Sequence, residues 1–218
     1  IDILTNRQKN RITSKLKKFS KKGQELKYPE IKIDYDHYRL TWRDVTSETN
    51  TRTILCTILP PKVFSVYTLP YLRPNYFNGL NFEKAISSET MMFLCGLFNS
   101  FVIDYYLRQR ISIHATMSHM YEVPIPRYNS NDPYFSDIVK KVGSLICTTK
   151  EFDQLKNELK IENVCLNPPD RLNVMAQINA YVAKIYDLTR EELEYILTTF
   201  SDKNDELKLK TREEFERL

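Results

Sequence analysis

Glycine is scarce in this chain, at 4 of 218 residues. Tight glycine turns are therefore few, and Pro, Asn and Asp must shape the loops. No two glycines form a GxG pair. The glycine-rich strand-to-helix turn that lets a backbone approach a nucleotide-like cofactor is thus missing from the sequence. Cysteine is also sparse. Cys56, Cys95, Cys147 and Cys165 stand far apart, without a CxxC pair. Each has apolar neighbours, which favours reduced, buried thiols over zinc and suits a cytoplasmic location. Two of the three histidines, His114 and His119, are five apart. That spacing is not one helical turn, and no Glu-x-x-His accompanies it, so no metal is expected. Long apolar runs are lacking too. The stretch from Met91 to Leu107 is broken by Asn99, Ser100 and Asp104, and reads as a buried helix with no membrane partner. No signal peptide is visible, and the chain opens on Ile1, so it reads as an excised piece of a longer protein.

What is present is enough for a core: 42% of the residues are hydrophobic and 12% aromatic. The length suits one large domain, or one domain with a helical appendage. The net charge of +4 is unevenly spread. Residues 1–43 hold 12 Lys/Arg against 5 Asp/Glu, and residues 129–218 hold 13 against 17. A basic front and an acidic rear suggest a polyanion on one side, although a run such as KLKKFSKK also serves as an ordinary solvated face.

Ile12, Leu16 and Phe19 follow helical spacing in a lysine-rich segment. From Ile31 to Val45 the pattern is strand-like, with Tyr38, Leu40 and Trp42 on one face and Arg39, Thr41 and Arg43 on the other. Ser47 to Asn50 reads as a turn. Thr53 to Leu59 reads as a central strand, ended by Pro60-Pro61, and Val63 to Leu69 as a further strand. Ser87 or Ser88 caps a helix that runs to about Arg110. Residues Glu122 to Arg127, EVPIPR, read as a short edge strand. Helical patterns then cover Tyr134 to about Ile161 and Arg171 to Tyr186. A third follows Thr189, which forms a capping box with Glu192. The tail from Ser201 is charged and is expected to fray. The order implies an α+β fold: a mixed, mostly antiparallel sheet with one buried helix, then a helical C-terminal part. The expected divisions are 1–130, 131–200 and a tail, 201–218.

Four blocks carry a resemblance. YRLTWRDVTSETNTRTILCTILPP, LCGLFNSFVIDYYLRQRIS, YEVPIPR and QINAYVAKIYDLTREELEYILTTF occur in that order over about residues 38–200. Together they resemble the TaqI-like target-recognition (specificity) region of adenine-N6 DNA methyltransferases. These belong to Type IIG and IIL restriction-modification systems, in which a nuclease is fused to the methyltransferase, and related enzymes act in phage defence. The resemblance implies double-stranded DNA as a partner. It also implies a methyltransferase domain of the same parent chain, against which the helices from residue 134 dock. S-adenosylmethionine then belongs to that missing half, and this fragment carries no cofactor and no catalytic residue. NPPD, Asn167 to Asp170, is not the methyl-transfer motif: Asp170 stands where an aromatic is needed, and no buried strand leads into it. Asn-Pro there marks a turn between helices.

Candidate DNA contacts are Arg39, Thr41, Asn50 and Arg52 around the first hairpin, and Ser112, His114 and Thr116 in a polar loop. Each has a bland alternative: turn chemistry for Asn50, an ordinary connection for 112–119. Arg43 and Asp44 read as a structural pair. Arg43 is the expected internal partner and Arg39 the expected free cation. Tyr67, Tyr71, Tyr76 and Phe77 suit stacking on DNA, though core packing is the stronger expectation. Recognition loops are expected near 46–52, 70–82 and 111–120. The competing reading is a protein-docking module of a larger DNA-processing enzyme, without DNA contacts.

Overall fold

In a computed structural model the described residues are 6–19, 34–47, 49–78, 82–128 and 131–218. The fold is α+β. Helix α1 spans Asn6–Phe19, where the spacing of Ile12, Leu16 and Phe19 called for one. A 3-10 turn at Asp34–Asp36 leads into strand β1, Arg39–Trp42, which pairs antiparallel with β2, Cys56–Leu59. A second antiparallel hairpin joins β3, Asn75–Phe77, to β4, Phe82–Lys84.

The centre of the larger sheet is β1, not β2. All four β1 residues are buried, whereas Thr57 of β2 faces solvent. The other edge of β1 is occupied by residues 70–72: Trp42 N–H donates to Pro70 O at 3.2 Å, and Leu72 N–H to Leu40 O at 2.9 Å. Val63 to Leu69 is consequently no strand. It is an irregular, largely exposed segment closed by a turn from Leu69 N–H to Val66 O. EVPIPR is not a strand either. Pro124 and Pro126 offer no N–H to a ladder, and the segment is held by Tyr106 and Tyr186, whose hydroxyls donate to Glu122 O and Pro124 O.

Two helices stand where the apolar pattern suggested one. Helix α2 is Ser88–Phe98, capped by Ser87, whose Oγ accepts Thr90 N–H at 3.0 Å. Helix α3 is Phe101–Arg108, and the pair is bent by 65°. The break comes from Asn99-Ser100. Asn99 bonds both backbone groups of Cys56, at 3.0 and 2.9 Å, and Ser100 caps α3 through Ile103 N–H. Short polar side chains that find better backbone partners than the helix interior end helices in this way. Among the described residues no single helix is long and apolar enough to cross a membrane, and α2 and most of α3 are buried in the core.

Helix α4 is the short Met117–Tyr121. Helices α5, Phe135–Ile146, α6, Asp153–Glu158, and α7, Pro168–Ile185, divide the next helical stretch. Asn167 caps α7 by accepting Asp170 N–H at 2.9 Å, with Pro168 and Pro169 at its first positions, so NPPD is a helix start. Thr189 and Glu192 form the expected capping box on α8, Arg190–Thr198. Glycine matters where α5 meets α2: a Cβ on Gly96 would lie 2.7 Å from Ile138 Cγ2.

The tail does not fray. A 3-10 turn at Asp202–Asn204 leads into α9, Asp205–Arg217, which lies along α7. Its charged composition hides a stripe at i, i+4 and i+8: Leu207, Thr211 and Phe215, all buried. Lys184 Nζ lies 3.8 Å from the centre of the Phe215 ring. Among the described residues one hydrophobic core runs from Leu40 and Trp42 through α2, α3, α5 and α7 to Phe215. Ile178, Val182 and Ile185 are buried within it; Leu145, Ile146 and Tyr181 pack at its edge.

All four cysteines are free thiols, and Cys56, Cys95 and Cys147 are buried. Burial pushes Cys95 up to about 12 and Cys147 up to about 11, and raises Cys56 well above its ordinary value. The thiolate is the reactive form. The half-buried Cys165 is therefore expected to react first with a disulfide reagent in the folded chain, and the other three only after denaturant is added. Counting thiols released per chain, before and after unfolding, checks this.

Candidate functional site

Burial of β1 reassigns its polar residues. Arg39 is only 3% exposed. Its Nη2 donates to Val63 O and Pro60 O, and its guanidinium lies 5.1 Å from the Tyr71 ring centre. Thr41 Oγ1 donates to Pro70 O at 2.8 Å. Arg39 is therefore not the free cation expected: loop 60–71 covers the strand face that alternation had assigned to solvent. A guanidinium so enclosed cannot reach a phosphate while the loop is in place. Arg52 is enclosed as well. Its Nε donates to Asp104 Oδ2 at 2.8 Å and its Nη2 to Asn99 O. Burial lowers its pKa, opposed by the Asp104 carboxylate.

Arg43 is structural, but its partner is not Asp44. Its Nη2 donates to Arg52 O at 2.9 Å and to Thr46 Oγ1 at 3.1 Å. Asp44 instead holds His114, with Oδ2 2.9 Å from Nδ1. The backbone extends this link: Thr46 N–H donates to Ile113 O and Ala115 N–H to Asp44 O, both at 2.8 Å. The tertiary structure thus ties the first polar turn to loop 111–116, two segments about seventy residues apart.

Ser112, His114 and Thr116 are exposed in that loop. Thr116 precedes α4, and its backbone N–H donates to His119 Nδ1 at 3.2 Å. The helix that follows this loop, α4, helps line an open groove of about 790 Å³. It is lined by residues of loop 65–73 and of α4, with Leu69, Pro70, Ile86 and Met117 among its apolar lining. Tyr67, 88% exposed, and Tyr121, 74% exposed, stand on its rim. Arg73 lines the same groove, 3.9 Å from Asp34. Tyr67 is therefore not a core residue, contrary to the stronger expectation. Tyr71 is half-buried, while Tyr76 and Phe77 belong to the second hairpin, bonded to Glu83 and packed on Phe82.

Sequence reasoning missed Tyr121 and Met117, which read as part of a connection. The exposed apolar sequence Val63-Phe64-Ser65-Val66-Tyr67, read as a strand, was the available signal for the groove wall. Among the described residues no group of three or more His, Cys, Asp or Glu is placed to hold a metal ion. No protein family, curated protein or solved structure matches this chain.

Proposed function

We propose that the chain is a sequence-specific DNA-recognition unit, the specificity part of an adenine-N6 methyltransferase of restriction-modification or phage-defence type. In this reading S-adenosylmethionine and the methyl-transfer chemistry belong to a separate methyltransferase domain of the parent chain. The observation that carries the reading is the groove: two exposed tyrosines and Arg73 line it, and α4, which contributes Met117 and Tyr121, directly follows the exposed polar residues Ser112, His114 and Thr116 in the chain. Exposed aromatic faces suit stacking or wedging against bases, and hydroxyls and imidazoles suit base edges and phosphates. The basic helix α1 supports it. It carries six Lys/Arg and no Asp/Glu, and Arg7, Arg11 and Lys17 are exposed. Such a helix suits a phosphate backbone.

The apolar residues that line the groove favour a second reading, in which a protein segment docks there. Salt separates the two. Anisotropy of a labelled random-sequence duplex, titrated with the chain at low and moderate salt, is expected to show affinity falling at least about tenfold between about 50 and 200 mM salt. Tyr67→Ala is expected to weaken duplex binding, with little change in melting temperature. No duplex binding at low salt would reject the DNA reading in favour of docking.

A further inference from the structure

Residues 50–53 are held by their carbonyls. Asn50 O accepts Arg108 Nη2 at 3.2 Å, and Thr51 O accepts Asn204 Nδ2 at 3.2 Å. Arg52 O accepts Arg43 Nη2 at 2.9 Å, and Thr53 O accepts the Thr46 hydroxyl. Four consecutive carbonyls thus take one side-chain bond each, from donors on three separate parts of the chain. The amide side is also fixed. Asn50 N–H donates to Ser47 O at 3.1 Å, and Thr53 N–H to both oxygens of Asp104. The donors are anchored in turn. Arg108 Nε donates to Thr53 Oγ1, its Nη1 to Thr199 O, and its guanidinium lies 4.2 Å from the Phe200 ring centre.

Thr49, by contrast, projects into solvent, and Asn50 and Thr51 are half-exposed. Their side chains contribute little to the loop: Asn50 Nδ2 makes one long bond to Thr46 Oγ1, at 3.3 Å, and Thr49 shares one with Ser47. Backbone carbonyls are present whatever the side chain. A loop held this way keeps its shape when its exposed residues change, which is what a contact loop of variable selectivity requires.

We infer that residues 49–51 are a preformed, selectivity-bearing contact surface, and that Arg43, Arg108 and Asn204 are positioning residues that hold it through its carbonyls. The selectivity half of this inference rests on the DNA reading above; the clamp does not. Asn204 lies just before α9, so the C-terminal segment is part of the clamp.

Two measurements on the full chain test both halves. In native-state hydrogen exchange, Asn204→Ala and Arg43→Ala are each expected to speed exchange of the Asn50 and Thr53 amides about tenfold or more, with amides of α5 and α7 unchanged. Thr49→Ala and Thr49→Arg are expected to leave those two amides within about twofold of the parent chain. Against a panel of duplexes, the Thr49 variants are expected to change the ranking of sequences, while a phosphate contact would weaken all of them alike. Unchanged exchange in both clamp variants overturns the clamp. Faster exchange in the Thr49 variants overturns the independence of shape from side chain. Normal exchange with an unchanged duplex ranking overturns the selectivity assignment and leaves the clamp standing. A parent chain that binds no duplex rejects the DNA reading itself.

Discussion

Asp104→Ala is expected to destabilise the fold by about 3–5 kcal/mol, the range for breaking a buried ion pair from one side. The carboxylate is fully buried on α3. It accepts Arg52 Nε at 2.8 Å and the Thr53 backbone N–H, and lies 3.7 Å from Arg108. Arg52 packs against the rings of Phe101 and Phe200, at 4.6 and 5.6 Å. Removing the anion leaves two guanidiniums without the carboxylate they share, in a poorly solvated site, and an amide without its acceptor. The Asp104→Leu, Arg52→Met double variant is expected to be more stable than Asp104→Ala alone, because it removes one stranded charge and fills the space. Urea unfolding of the three chains measures this. A loss below about 1 kcal/mol for Asp104→Ala would place the pair in the range of solvent-exposed bridges and contradict its burial.

Trp42→Ala is expected to cost about 3–5 kcal/mol, the range for truncating a large buried aromatic side chain, and to loosen loop 111–116. The indole is 1% exposed, and its Nε1–H donates to Ala115 O at 2.7 Å. It therefore fills the core and anchors the loop that carries His114. Trp42→Phe separates the two roles. It keeps most of the ring but strands the Ala115 carbonyl, for an expected cost of about 1–3 kcal/mol, the penalty for an unmet buried polar group. Melting temperatures of both variants, with exchange rates around residues 113–116, check this. Equal stability of the Phe variant and the parent would show that the hydrogen bond contributes nothing.

Where a signal was local, the sequence was sufficient. Ser87 and Thr189 announce helix starts because a short polar side chain meets an orphan N–H three residues on, and that geometry lies within one turn of chain; Asn167, read as part of a turn, caps α7 in the same way. Trp42 and Leu40 announce burial because alternation places them on one apolar face. The order of strands and helices is enough for α+β. Charge and composition supply the basic front, and the scarcity of glycine rules out a GxG turn.

The candidate site was only partly legible. Tyr67, Ser112, His114 and Thr116 were named from residue type, but not the groove that Tyr67 shares with Tyr121. Alternation shows that Arg39, Thr41 and Arg43 share a face; it does not show that loop 60–71 folds back over that face. That depends on Arg39 meeting the carbonyls of Pro60 and Val63, residues more than twenty positions away. The same limit hid the split at Asn99, whose side chain is drawn to Cys56 across the core. It also hid the order of α9, whose stripe of Leu207, Thr211 and Phe215 has meaning only against α7. The sequence by itself determined the helix caps, the apolar faces and the fold class, because these depend on neighbours within one turn or one strand. Tertiary structure alone decided which polar residues are enclosed, which loops meet at the groove, and what holds residues 50–53, because each depends on donors and acceptors that only folding brings together.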